Sequence, residues 1–170
     1  LNSNCLETVG IINVSISKKA SLIYQLAEDL PSFLGDPAQI QQVIMNLLIN
    51  ASDALQGNDG TIEVRTGHKH YTRADLVSAN YSHDEPGYFL FLEVRDTGVG
   101  MLESVQERVF EPFFTTKFTG RGLGMAAVLG IVGRYKGAIF IESTRGQGTN
   151  IRVIFPTDGS PPNAALTEVQ

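Results

Sequence analysis

Ten of the 17 glycines fall between residues 98 and 148, and four of the nine phenylalanines crowd into residues 110–118. Glycine weakens helix and strand interiors but serves wherever the backbone must turn tightly or approach another group closely. Its concentration in one half therefore implies special backbone geometry there, beyond ordinary connecting loops.

The periodicities around those turns indicate what carries them. Residues 36–56 read as a helix, with Asp36 able to cap it, Pro37 at the first helical position and Gly57-Asn58-Asp59-Gly60 as the stop. Strand-like alternation runs through Leu22, Tyr24 and Leu26 in 20–27, and through Ile62 and Val64 in 61–66. An apolar strand follows at 88–96, a short helix at 103–109 and a longer apolar helix at 124–135. Two strands, 138–143 and 149–155, flank the hairpin turn Arg145-Gly146-Gln147-Gly148. The polar stretch 68–87 holds all three histidines and is expected as an insertion, with Thr72 and Asp75 spaced for a capping box on a short helix. Residues 4–17 fit helical and strand spacing alike. Residues 157–170 lack periodicity and read as linker, which leaves 1–156 as one domain. Helices and strands mix without strict alternation and without an internal repeat. The expected class is α+β, with helices layered on a largely antiparallel sheet.

Composition excludes several functions. Lys+Arg number 13 against 18 Asp+Glu, a net charge of −5 with no basic block, which argues against a nucleic-acid partner. Cys5 is the single cysteine, so neither a disulfide framework nor a Cys-rich metal site can form. The longest apolar run without charge, 122–133, is shorter than the roughly 18–20 residues that span a bilayer, so no membrane contact is expected from this stretch. There is no signal-peptide pattern, and the chain opens on Leu1. A soluble, cytoplasmic piece of a longer protein is expected.

Three constellations can carry chemistry. On the 36–56 helix, Ile40, Val43, Ile44, Leu47, Leu48, Ala51, Ala54 and Leu55 make a broad apolar face, and Asn46, Asn50 and Asp53 line one edge of it. Asn50 lies about 20° from Val43 around the helix, so it is at least partly buried and its amide needs partners. Those partners can be structural, or the amide oxygen can be a hard ligand for Mg²⁺, which takes few protein oxygens alongside water and phosphate. The second constellation is Asp96-Thr97-Gly98-Val99-Gly100-Met101 after an apolar strand. It reads either as a plain turn or as a tight loop whose carboxylate accepts a hydrogen bond from an exocyclic amine such as adenine's. An aspartic-protease reading of Asp-Thr-Gly needs two such carboxylates, and the chain holds one, so it requires a dimer. The third runs from Phe110-Glu111-Pro112-Phe113-Phe114-Thr115-Thr116-Lys117 into Gly120-Arg121-Gly122-Leu123-Gly124-Met125. Free N–H groups at the start of the apolar helix, with Lys117 and Arg121 nearby, suit an anion. It is neither a dinucleotide fingerprint, since Met125 replaces the third glycine, nor a P-loop, since the chain has no Gly-Lys pair.

In this order the three resemble the catalytic ATP-binding domain of sensor histidine kinases, in the Bergerat-fold superfamily with gyrase, heat-shock chaperone and mismatch-repair ATPases. Asn46-Leu47-Leu48-Ile49-Asn50-Ala51 is similar to the family's N box, Asp96-Thr97-Gly98-Val99-Gly100 to its first glycine box, residues 110–117 to its F box and 120–124 to its second glycine box. The similarity covers residues 1–156. The stretch 120–139 and the insertion before Tyr88 look most like hybrid kinases, which carry sensory domains upstream and often a receiver domain downstream.

The resemblance implies a two-layer α/β sandwich, its mostly antiparallel sheet covered on one face by helices, with a flexible ATP lid at 102–121. It implies ATP and Mg²⁺ as ligands: Asn50 on the metal, Asn46 on phosphate or a metal-bound water, Asp96 on the adenine amine and Lys117 on phosphate. Asn46, Asn50 and Lys117 would be the catalytic set. Asp53, Gly98, Gly100, Met101, Phe110, Gly120, Arg121, Gly122, Leu123 and Gly124 would complete the nucleotide site, and Phe110, Phe113 and Phe114 would couple lid closure to nucleotide. Serine-phosphorylating and hydrolytic branches of the superfamily carry a Glu where Asn46 stands; an amide cannot take a proton, so slow hydrolysis and the histidine-kinase branch are implied. Arg121 and Met125 depart from the commoner Thr and Leu. The phosphoacceptor motif is missing: His68-Lys69, His70-Tyr71 and His83-Asp84-Glu85-Pro86 do not supply it. The expected partners are therefore a dimerisation and phosphoacceptor helical hairpin outside this chain, and a receiver domain or response regulator, with this piece alone monomeric. The alternatives are a degenerate nucleotide-sensing module, an aspartic-type hydrolase and a steady ATPase.

Overall fold

A computed structural model describes residues 1–3, 5–7, 18–81, 85–116 and 122–157. Most of 4–17, His83, Lys117, Gly120, Arg121 and almost all of the expected linker lie outside the described residues.

Among the described residues, five strands form one sheet in the order β1-β2-β3-β5-β4: β1 (Ala20–Leu26), β2 (Gly60–Tyr71), β3 (Gly87–Asp96), β4 (Ala138–Thr144) and β5 (Gly148–Pro156). Of the described pairs, three are antiparallel and β1–β2 is parallel. That connection contains helix α1 (Pro37–Ala54), as a parallel pair requires a crossover. The strands' period of two puts Ile62, Val64, Leu92, Val94, Ile151 and Val153 on one face. Against them pack Val43, Ile44, Leu47 and Leu48 of α1, with Val128 and Val132 of α4 (Gly124–Arg134), all but fully buried in one core. This is the α+β sandwich expected from the sequence.

Asp36 caps α1, its Oδ1 accepting from the Ala38 N–H at 2.9 Å. The Tyr135 hydroxyl accepts from Asp36 N and donates to Gln39 Oε1, both at 2.8 Å, so the start of α1 is tied to the end of α4. The two helices are thereby held side by side over the sheet, which fixes what their facing edges present.

Two expectations need correction. The stretch 68–87 is not simply an insertion: β2 continues to Tyr71, with Lys69 and His70 paired opposite Phe89 and Tyr88. The exposed Lys69 and His70, with His68 before them, hid a strand that still buries Gly67 and Tyr71. Nor are helices confined to one face. The short α2 (Arg73–Val77), which does carry the Thr72/Asp75 capping box, packs Leu76 onto Tyr71, Phe89, Ala138 and Ile154 on the opposite face. The chain after it runs to β4's free edge, where Tyr81 and Ile139 exchange backbone hydrogen bonds. This covers an edge that would otherwise be open to pairing. Elsewhere on that face Glu93, almost fully buried, is held by Arg152 and by Arg65 at 3.2 Å.

Candidate functional site

At one end of the sandwich, α1, the ends of β3 and β5, the segment 99–116 and the N-terminus of α4 surround a cavity of about 780 Å³. That is the size of a small-molecule site, roughly 300–1,000 Å³. Asn46, Asn50 and Asp53 all line it. Asn46 and Asn50 are half-buried and Asp53 is exposed at the rim. Their alignment follows from helical spacing, because residues three and four apart share a face.

Asp96 closes the base of the cavity, 5% exposed. Its Oδ1 accepts from the Gly98 N–H at 2.8 Å. Burial pushes its carboxyl above the usual carboxylate range, against the opposing pull of the Gly98 and Thr149 backbone N–H groups. The glycine loop that follows sits where no side chain fits. A Cβ on Gly98 would lie 2.5 Å from the Ala54 carbonyl oxygen, and one on Gly100, at φ +65°, would lie 2.0 Å from that of Thr144. The Val99 N–H donates to the same Ala54 carbonyl at 3.0 Å, so the loop docks on the C-terminal end of α1. Asp96 and Asn50 are thus held relative to each other by backbone packing.

Opposite, Gly122, Leu123 and Gly124 form the wall where α4 begins. No side chain caps this helix, and Gly124 stands beside Asn46, with room between them for an ordinary contact. The first turn, which lines the cavity through Gly124 and Met125, therefore brings the start of the helix and the positive end of its dipole to the cavity wall. Gly122 accepts from the Phe113 N–H at 2.9 Å, which ties the turn at Phe113 to the start of α4.

The expected site residues are not all alike in place. Asn46, Asn50, Asp53, Asp96, Gly100, Met101, Gly122, Leu123 and Gly124 line the cavity. Gly98 lies behind the wall as a spacer against α1, and Phe110 packs into the core rather than onto the cavity. Of the other F-box rings, Phe114 faces the cavity, with Arg108 over its outer face at 4.4 Å, while Phe113 is exposed at φ +66°. Lys117, Gly120 and Arg121 lie outside the described residues. Unanticipated lining residues include Thr149, Thr115, Thr116 and Val105 of the short helix α3 (Glu103–Gln106). Thr149 was legible in principle: extending the alternation Phe155, Val153, Ile151 by one step puts it on the helix side, paired with Asp96.

The family model described as histidine kinase-, DNA gyrase B- and HSP90-like ATPase matches residues 35–159. The chain belongs to this ATPase family. Among curated relatives, this ATPase domain is 36% identical over 143 residues to the sensor kinase CckA of Brucella abortus, covering 83% of the chain and 15% of that protein. It is 38% identical over 127 residues to the sensory histidine kinase/phosphatase NtrB of Rhodobacter capsulatus, covering 75% of the chain and 34% of NtrB. It therefore spans at most about a third of these relatives' lengths. Among solved structures, the catalytic domain of histidine kinase ThkA superimposes with a TM-score of 0.72 at 25% identity, covering 92% of each chain. The sandwich is thus that of histidine kinase catalytic domains. No described helix of this ATPase domain is long and apolar enough to cross a membrane.

Proposed function

We propose that this ATPase-family domain is the catalytic domain of a sensor histidine kinase, which binds ATP with Mg²⁺ and passes the γ-phosphoryl group to a histidine on a helical hairpin outside this sequence. One observation carries the reading. A helix-borne pair of amides, a buried strand-end carboxylate and an uncapped helix N-terminus converge on a single cavity. The donor set fits the ligands: neutral amide oxygens suit a hard cation that also binds phosphate, and backbone N–H groups suit the phosphates themselves. Asn50 would hold the metal and Asn46 a phosphate oxygen or a metal-bound water. Mg²⁺, when bound, would neutralise phosphate charge.

The remaining work falls to the protein. Asp96 would accept from the purine amine, and the N-terminus of α4 would draw the phosphates towards Asn46. The segment 102–121 would act as a lid, with Lys117 as a phosphate contact. Phosphoryl transfer asks mainly for such positioning and charge neutralisation. Asn46 cannot act as a base, so water is poorly activated, whereas an acceptor imidazole is its own nucleophile. A response regulator or receiver domain would take the phosphoryl group onward; the solved ThkA complex with the response regulator TrrA supports that partnership for this fold.

ATP with Mg²⁺ at a hundredfold excess over Kd should stabilise the domain by about 2.7 kcal/mol, a rise in Tm of roughly 5–10 °C for this size. Asn50→Ala should remove the Mg²⁺ dependence of that rise. An unchanged melt at millimolar nucleotide defeats the reading. Labelled ATP, incubated with this domain and the cognate hairpin supplied in trans, should leave acid-labile phosphate on the hairpin. Nucleotide binding with no such label would instead favour a degenerate sensing module.

A further inference from the structure

Resting on the ATP-binding reading, we infer that Ser143 and Gln106 are positioning residues that fix the base-facing wall through Met101, although neither lines the cavity. Met101 is the last residue of the glycine loop and part of that wall. Both of its backbone groups are held from outside. Its N–H donates to Ser143 Oγ at 2.8 Å, and its carbonyl accepts from Gln106 Nε2 at 3.3 Å. The same Gln106 amide donates to the Ser143 carbonyl at 3.0 Å. Ser143 Oγ also lies 2.8 Å from Thr149 Oγ1 and 3.1 Å from the Gly148 carbonyl.

Three parts of the site therefore meet at one residue, Ser143, through its hydroxyl and its carbonyl. The loop after Asp96 arrives through Met101. The beginning of the lid arrives through Gln106, on the same α3 whose Val105 faces the cavity. The start of β5 arrives through Thr149, which also lines the cavity and supports the Asp96 carboxylate through its backbone N–H. The register puts Ser143 opposite Thr149 and Thr149 opposite Asp96, so the three stand in a row across β4, β5 and β3. A further bond at 2.7 Å, from Gly146 N–H to the Val99 carbonyl, closes the hairpin onto the same loop. The phosphate end of the cavity is built on other elements, with Asn46 and Asn50 on α1 and Gly124 at the start of α4. Loosening the clamp should therefore blur recognition of the base and leave recognition of the phosphates intact.

The test compares Ser143→Ala, Gln106→Leu and the double variant of this chain, with Ser143→Thr retaining the hydroxyl. Affinities for ATP, GTP and inorganic triphosphate, each with Mg²⁺, are measured by titration calorimetry, and Tm is measured without nucleotide. Each single substitution should weaken ATP binding about tenfold, the scale of one lost hydrogen bond, and reduce the preference for ATP over GTP. The double variant should be little worse than the weaker single, because the two residues act as one unit. Triphosphate affinity should stay within about twofold, and Ser143→Thr should bind ATP nearly as the unsubstituted chain does. ATP affinity unchanged in both single variants overturns the clamp. So does an equal loss for ATP and triphosphate accompanied by a fall in Tm, which would mark a merely structural role. Failure of the unsubstituted chain to bind ATP strikes the nucleotide reading itself.

Discussion

At the scale of single residues, the site buries an ionisable group where folding alone would not. Asp96 is buried and its carboxyl titrates above the usual range because burial disfavours the ionised form. A carboxyl whose folded pKa is raised binds its proton more tightly in the native than in the unfolded chain. Its ionisation therefore lowers stability as pH climbs from the ordinary carboxylate range through the raised value, and stability is fullest below that range. Asp96→Asn removes the buried ionisable group while its amide oxygen can still accept from Gly98. Melts at pH 7 should show a nucleotide-free Tm equal to or above that of the parent, with the difference vanishing in acid. Titration should show ATP binding at least about tenfold weaker, because the one remaining acceptor is occupied by the Gly98 N–H. A fall in Tm at pH 7 would mean that the carboxylate is structural.

Between elements, stability and geometry are set at opposite ends of α1. At its start, Asp36→Ala removes the cap and should cost about 1 kcal/mol in a urea melt, with ATP affinity of the folded domain unchanged. At its far end, the glycine loop rests on the Ala54 carbonyl, and Gly98→Ala would drive a methyl group into it. The backbone has to shift, at a cost of about 1–3 kcal/mol, and Asp96 shifts with it. Gly98→Ala should therefore weaken ATP binding by about tenfold in the molecules that remain folded. Equal affinities for the two variants would refute the view that this contact sets the distance between helix and carboxylate.

Across the whole molecule, the N-terminal residues are built into the same core as the site helices. Cys5 is fully buried among them, and burial pushes its thiol up to about 11, with the N-terminal charge opposing. Asn2 accepts from the Thr66 hydroxyl at 2.7 Å and donates to the Ala27 carbonyl at 2.7 Å. Alkylation of Cys5 at pH 8 should consequently be slower than in urea by on the order of a hundredfold or more, and slower still with ATP and Mg²⁺ present. Rapid native alkylation would show that this segment opens independently of the core. The sequence by itself determined most of the elements, the cap of α1, the capping box of α2, the alignment of Asn46, Asn50 and Asp53, and the uncapped start of α4. All of these follow from local spacing and backbone chemistry. It did not determine that β2 runs on to Tyr71, that Phe110 turns inward while Phe114 faces the cavity, or that Thr149, Ser143 and Gln106 gather around the loop after Asp96. Those depend on register between strands far apart in the chain and on which neighbour each side chain meets, and only tertiary packing fixes them.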